Sequence, residues 1–171
     1  MGRHPKTGPN VGRPRYAGPM IELQLALFGR MVLASLFGFL IGFEREYRGK
    51  AAGERTFALL ALGAAGFTAL GVELFPASAE KVIAGVATGV GFLGAGIIWR
   101  TQSGPAGLTT AASSWAAAAI GVLCGAAVYL TAALATALTL GILESESLPL
   151  VRRVRGGKRR SVPPTPPPPS P

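Results

Sequence analysis

Glu44, Arg45, Glu46, Arg48 and Lys50, followed closely by Glu54, Arg55 and Thr56, form the densest polar stretch in an otherwise apolar middle region. Carboxylates at such density can bind a cation, and guanidinium groups an anion. Magnesium is usually held through one or two carboxylates and keeps much of its water, which makes Glu44, Glu46 and Glu54 the residues to consider. The neighbouring Arg45, Arg48, Lys50 and Arg55 oppose that use and suit an anion better. On a continuing helix, Glu44 with Arg48 and Glu46 with Lys50 stand at i, i+4 in the favourable order, so an interfacial salt-bridge network is the plain alternative. A second polar group comprises Arg100, Thr109, Thr110 and Ser113. Thr109 and Ser113 share one helical face, as do Thr110 and Ser114, at a spacing that serves capping, interhelical hydrogen bonds or a substrate. Arg30 is isolated within an apolar run. A charge at that depth is costly and usually faces the bundle interior, with Glu22 or Glu73 as the partner in reach.

The same inventory excludes most catalysis. Cys124 is the only cysteine and His4 the only histidine, which removes an intrachain disulfide, a cysteine zinc cluster and histidine-based triads or metal sites. Hydroxyls with no partnered base do not make a nucleophile. The expectation is a non-enzymatic chain with no catalytic residues, no cofactor and no metal centre.

The elements that position these residues are apolar, rich in glycine and alanine, and occupy residues 20–143. A membrane span takes roughly 20 such residues. Spans are expected at 21–43, 57–75 and 82–99, with two more sharing 108–143. That last block, about 36 residues, is too long for one helix across a core of roughly 30 Å, and Gly125 is the expected turn. One long bent helix, giving four spans, is the competing reading. The fold class is therefore an all-α integral membrane bundle of about five transmembrane helices.

A net charge of +9 invites a nucleic-acid reading, but Lys and Arg lie in the tails and two loops rather than on a soluble domain. No nucleic-acid partner is expected. The positive-inside rule places loops 44–55 and 99–107, and a tail carrying Arg152, Arg153, Arg155, Lys158, Arg159 and Arg160, on the cytoplasmic side. Arg3, Lys6, Arg13 and Arg15 in residues 1–19 disagree with that orientation; a start at Met20 removes the conflict. Residues 1–19 lack the features of a secretory signal peptide and read as a disordered leader or misplaced start. Residues 20–143 read as the membrane domain. Residues 144–171 read as a basic, proline-rich disordered tail favouring polyproline II. Its basic part suits anionic lipid headgroups, at roughly 1 kcal/mol per Lys or Arg, or serves as a solvated stop-transfer anchor.

Glycine pairs at one-turn spacing, Gly38 with Gly42, Gly85 with Gly89 and Gly121 with Gly125, align small residues for close helix contact, within one subunit or in a homo-oligomer. Gly89, Gly91 and Gly94 match a dinucleotide fingerprint, which has meaning only between a strand and a helix and is rejected inside a span. Gly91, Gly94 and Gly96 serve packing or a local unwinding. A faint echo links GFLIGFERE from Gly38 with GFLGAGIIWR from Gly91. Each is followed by Gly-x-x-Thr, as a duplicated helical hairpin would have it.

Three linked motifs, GFEREYRGKAAGERT from Gly42, GVGFLGAGIIWR from Gly89 and GLTTAASSWAAAAIG from Gly107, closely resemble the MgtC/SapB family of bacterial membrane proteins. The match runs through essentially all of residues 20–143, in the same order and spacing. The resemblance implies a multi-pass domain of the bacterial inner membrane and an association with growth under low magnesium. For some members it implies restraint of the proton-driven ATP synthase, a membrane-protein partner. Carried over by motif, the positions of interest are Glu44, Arg45, Glu46, Lys50, Arg55, Thr56, Gly91, Gly94, Gly96, Arg100, Gly107, Thr109, Thr110 and Trp115. Glu54 departs from the pattern, which more often has an apolar residue there. Longer members carry a soluble C-terminal domain where this chain has its basic tail. Two functions follow: a regulator or adaptor in magnesium homeostasis, and a transporter or channel for an ion or small solute. A polar pathway reaching Arg30 favours the second, a dry closed bundle the first.

Overall fold

A computed structural model describes residues 19–102 and 104–145. Among the described residues the chain forms five α-helices: α1 (Met20–Tyr47), α2 (Glu54–Leu74), α3 (Ala79–Ile97), α4 (Leu108–Gly125) and α5 (Tyr129–Glu144). A single 3₁₀ turn, Pro76–Ser78, precedes α3. The strands β1 (Trp99–Thr101) and β2 (Gly104–Ala106) pair antiparallel between α3 and α4, with Trp99 opposite Ala106. The helices α1, α2 and α4, and α3 together with its 3₁₀ turn, are long and apolar enough to cross a membrane. At 16 residues α5 is shorter, roughly 24 Å at 1.5 Å per residue. The architecture is an all-α membrane bundle.

Helix boundaries follow local chemistry. The charged stretch ends α1, which runs through Glu44, Arg45 and Glu46 to Tyr47 and stops where Gly49 adopts φ +63°. There the Gly49 amide donates to the Glu46 carbonyl at 2.8 Å and the Lys50 amide to that of Arg45 at 3.0 Å, a glycine cap that satisfies the terminal carbonyls. Gly107, at φ +85°, opens α4 with its Cα turned toward the Ile97 carbonyl, leaving no room for a side chain.

The long apolar block 108–143 divides into α4 and α5, which removes the single bent helix. The turn occupies residues 126–128, one step beyond the expected glycine, and Ala127 takes the left-handed conformation at φ 62°. Gly125 remains the last residue of α4 because it is needed elsewhere. A Cβ on it would lie 2.8 Å from the Thr68 Cβ. Trp99, expected to finish the third span, lies instead in β1 with Arg100. Gly91, Gly94 and Gly96 lie in unbroken helix, so α3 is not unwound there.

Backbone proximity holds the centre together. A Cβ added at Gly38 would fall 2.9 Å from the Ala61 Cβ, and one at Gly121 would fall 2.9 Å from the Ala64 Cβ, with backbone carbonyls of α2 closer still. The contacts of Gly121 with Ala61–Ala64 and of Gly125 with Ala65–Thr68 advance in the same direction, so α2 and α4 run parallel. Gly38 and Gly42, against Phe57 and Glu54 respectively, set α1 antiparallel to α2. This seam is tight because lipid supplies little hydrophobic drive between helices, and association depends on close van der Waals contact. Ala34, Ile41, Phe57, Ala61, Ala65, Ala117 and Cys124 fill it. Large apolar residues such as Phe28, Phe67, Phe92 and Leu130 point outward, as a bilayer solvent requires.

The helix α3 is attached more loosely. Gly85, Gly89, Gly91 and Gly96 have open space where a Cβ would stand. Between α2 and α3 a groove of about 740 Å³ remains, lined by Leu59, Gly63, Phe67, Gly85 and Gly89. The two echoing hairpins are thus packed differently: Gly38 meets α2 closely, whereas a Cβ at its counterpart Gly91 would find open space among the described residues.

Cys124 is fully buried in the α1–α2–α4 seam. Thiol reactivity requires an accessible thiolate. A maleimide added to intact vesicles is expected to leave Cys124 unmodified and to label it only after denaturation in SDS, read by mass spectrometry.

Candidate functional site

Polar side chains gather at two levels of the bundle. The first lies where α1 ends and α2 begins, the basic end. Arg45 continues the buried stripe Ala34, Gly38, Ile41 and Gly42 on α1, so helical periodicity carries a guanidinium into the interior and leaves it 0% exposed. Its Nε donates to Glu44 Oε2 at 2.8 Å, while Nη1 is buried with no hydrogen-bond partner among the described residues. Glu44 also pairs with Arg48 one turn on. Arg48 in turn reaches Glu144 at the end of α5. The hydrogen bond from Arg48 to Glu144, with Glu44 adding its charge, raises the Arg48 pKa above the ordinary guanidinium value. One carboxylate therefore serves two guanidiniums, and the second guanidinium joins the C-terminal ends of the first and last helices.

The i, i+4 spacing thus yields Glu44–Arg48 but not Glu46–Lys50 among the described residues, since α1 closes at Tyr47 and Lys50 lies beyond the cap. Glu46 folds over Gly53 instead, its carboxylate occupying the place of a Cβ there. Glu46, Gly53, Glu54, Arg55 and Thr56 line one cleft of about 350 Å³. Arg55 is almost fully exposed and stands 3.8 Å from Glu54.

The other loop contributes differently. Arg100 and Thr109 are exposed, and Trp115 lines a shallow cleft between α3 and α4. Thr110, Ser113 and Ser114 are buried, but the two serine hydroxyls donate to the Thr110 carbonyl of their own helix, at 3.0 and 2.9 Å. Hydroxyls used this way satisfy themselves in an apolar setting.

The second polar level lies near the opposite end. Arg30 Nη2 donates to Glu73 Oε1 at 2.9 Å and Nη1 to the Gly125 carbonyl at 3.0 Å. Both charged side chains are largely shielded, at 12% and 9% exposure. One guanidinium thereby ties α1 to the last turns of both α2 and α4, and its charge meets the negative end of the α4 dipole. Of the two partners considered for Arg30, the structure places Glu73 against it.

The MgtC family profile matches residues 31–148. The chain belongs to the MgtC family. Among similar proteins, Protein MgtC of Brucella abortus (strain 2308) is 46% identical over 110 residues, covering 64% of this chain and 46% of that protein. Protein MgtC of Salmonella typhimurium (strain LT2) is 44% identical over 110 residues, covering 64% of this chain and 48% of that protein. The chain spans about half the length of these curated relatives. No solved structure gives a significant match.

In this MgtC-family chain the three motifs are distributed unequally. The first supplies the interlinked Glu44–Arg45–Arg48 group and the cleft at Glu46 and Glu54. The second supplies the second half of α3, where a Cβ added at Gly94 would stand 3.8 Å from the Ala111 Cβ of α4. The third supplies the buried half of α4. Glu144 and Thr68 were missed in the sequence. Glu144 carried one signal, a carboxylate closing the last apolar run, with Glu146 two residues on, opposite a basic loop. Thr68, fully buried with no hydrogen-bond partner for its hydroxyl among the described residues, carried none.

Proposed function

We propose that this chain is a bacterial inner-membrane regulator or adaptor in magnesium homeostasis and low-magnesium acclimation, acting by contact with another membrane complex rather than by catalysis. The basic end, with the C-terminal tail, faces the cytoplasm by the charge rule. The ATP synthase is the partner that the family resemblance offers.

The observation carrying this reading over transport is the layer between the two polar levels. From Arg30 and Glu73 to Glu44 and Arg45, the seam is filled by Ile41, Phe57, Ala61, Ala117 and Ile120, each at most 1% exposed. Glycines bring the helix backbones together in the same layer. Among the described residues that layer offers a crossing ion no charged side chain, and desolvating a charge there is prohibitive. The basic end, by contrast, presents charged groups for a partner.

Liposomes holding the purified protein are expected to pass magnesium and small anions no faster than empty liposomes. The protein is expected to co-purify with subunits of the partner complex from cells grown at low magnesium. Flux abolished by Arg30→Ala or Glu44→Ala would instead establish transport along that residue.

A further inference from the structure

At the basic end, α1 turns an aromatic stripe away from the core. Phe39, Phe43 and Tyr47 follow one another at one-turn spacing. The two phenyl rings stack with centroids 6.2 Å apart and planes at 24°, and Tyr47 is 87% exposed. With Glu46 and Glu54 they line a cleft of about 310 Å³. It adjoins the cleft that continues over Gly53 to Thr56, with which it shares both carboxylates. Glu44 is engaged by Arg45 and Arg48, whereas Glu46 and Glu54 face these clefts, Glu54 with only the exposed Arg55 at 3.8 Å beside it among the described residues. Rings flanked by carboxylates form a surface for an extended segment carrying both cations and prolines. Guanidinium groups sit over aromatic faces, and prolines in polyproline II pack between aromatic rings.

The chain contains such a segment. Arg152, Arg153, Arg155, Lys158, Arg159 and Arg160 lead into Pro163, Pro164 and Pro166. Arg160, Pro163 and Pro166 recur every third residue, which aligns them on one face of a polyproline II helix. The described chain also ends in the right place. Glu144 is paired with Arg48, the residue next to Tyr47. Residues 146–151 can reach about 20 Å at 3.3 Å per residue, more than the helix diameter of about 10–12 Å that they must pass.

We propose that residues 152–166 of this chain dock in the aromatic and acidic cleft formed by Phe39, Phe43, Glu46, Tyr47 and Glu54. The cations meet Glu46 and Glu54, and the prolines meet the rings. Tethering raises the local concentration of the segment to the millimolar range, so a weak site is occupied within one molecule. The docked segment covers Glu46, Tyr47 and Glu54 and competes with any partner that uses them. This holds whether the bundle is an adaptor or a transporter.

The test uses the full chain at one copy per lipid nanodisc, in neutral phosphatidylcholine and in discs containing phosphatidylglycerol. In neutral discs trypsin is expected to cut between Arg152 and Arg160 about tenfold more slowly than in a synthetic peptide of residues 146–171, given millimolar tethering. Glu46→Gln/Glu54→Gln is expected to restore the peptide rate. Independently of those variants, a short bis-maleimide reagent is expected to link Ser161→Cys to Lys50→Cys, but not to Ala127→Cys at the opposite end. Equal cutting of chain and peptide in neutral discs would overturn the proposal. Protection confined to anionic discs and indifferent to the glutamate changes would assign the segment to lipid. Protection that requires two copies per disc would assign it to a second molecule. Either result also overturns docking within one chain.

Discussion

Arg30→Met is expected to lower bundle stability by about 3–5 kcal/mol, and Arg30→Met/Glu73→Met to recover most of that loss. The asymmetry follows from solvation. In the native bundle the guanidinium and the carboxylate are desolvated together and compensate each other at 2.9 Å. Removing Arg30 leaves the Glu73 carboxylate shielded with its ion-pair partner gone, and also deprives the Gly125 carbonyl of its donor. Replacing both partners by apolar side chains of similar length eliminates the stranded charge. A residual deficit of about 1 kcal/mol is expected from the unpaired carbonyl. Unfolding in mixed micelles with rising SDS, followed by circular dichroism, measures all three proteins. A double variant no more stable than Arg30→Met would show that the pair does not act as a unit.

The second large effect separates glycines by position. Gly121→Ala and Gly38→Ala are each expected to cost about 1–3 kcal/mol, because a methyl group must displace the backbone of α2. Both substitutions bear on Ala61, whose carbonyl and Cβ lie under the two glycines. Their combined effect should therefore depart from the sum, as it does for residues sharing a contact. Gly85→Ala and Gly89→Ala have open space at the new Cβ. They are expected to be neutral or to stabilise by up to about 1 kcal/mol through helix propensity. The same SDS titration distinguishes the two classes. A loss at Gly85 comparable to that at Gly121 would mean that α3 is covered by something outside this chain.

These glycines also show why the candidate site was only partly legible. All three Gly-x-x-x-Gly pairs look alike as sequence, yet two are buried in the central seam and the third faces a groove. The difference lies in what stands opposite, a property of helices far apart in the chain. The charged stretch has the same character. Glu44–Arg48 was readable because the partners stand one turn apart at the end of one helix, Arg48 as its cap. Glu46–Lys50 failed because a glycine cap at Gly49 ends that helix first. Arg48–Glu144 joins residues on different helices and had only a weak local trace. The burial of Arg45 was implicit in the period of the stripe Ala34–Gly38–Ile41, which includes position 45.

Apolar length, glycine content and the placement of cations determined by themselves that this chain enters a membrane as a helical bundle, and the linked motifs determined its family. Those properties are local, since a segment partitions into lipid according to its own side chains and its own backbone hydrogen bonds. Tertiary structure decided which glycines bear contact, which carboxylate neutralises Arg30, and how two polar levels come to be separated by a layer of buried apolar side chains. Those outcomes depend on the register of helices against one another, which is set by the close fit of whole faces rather than by any one segment.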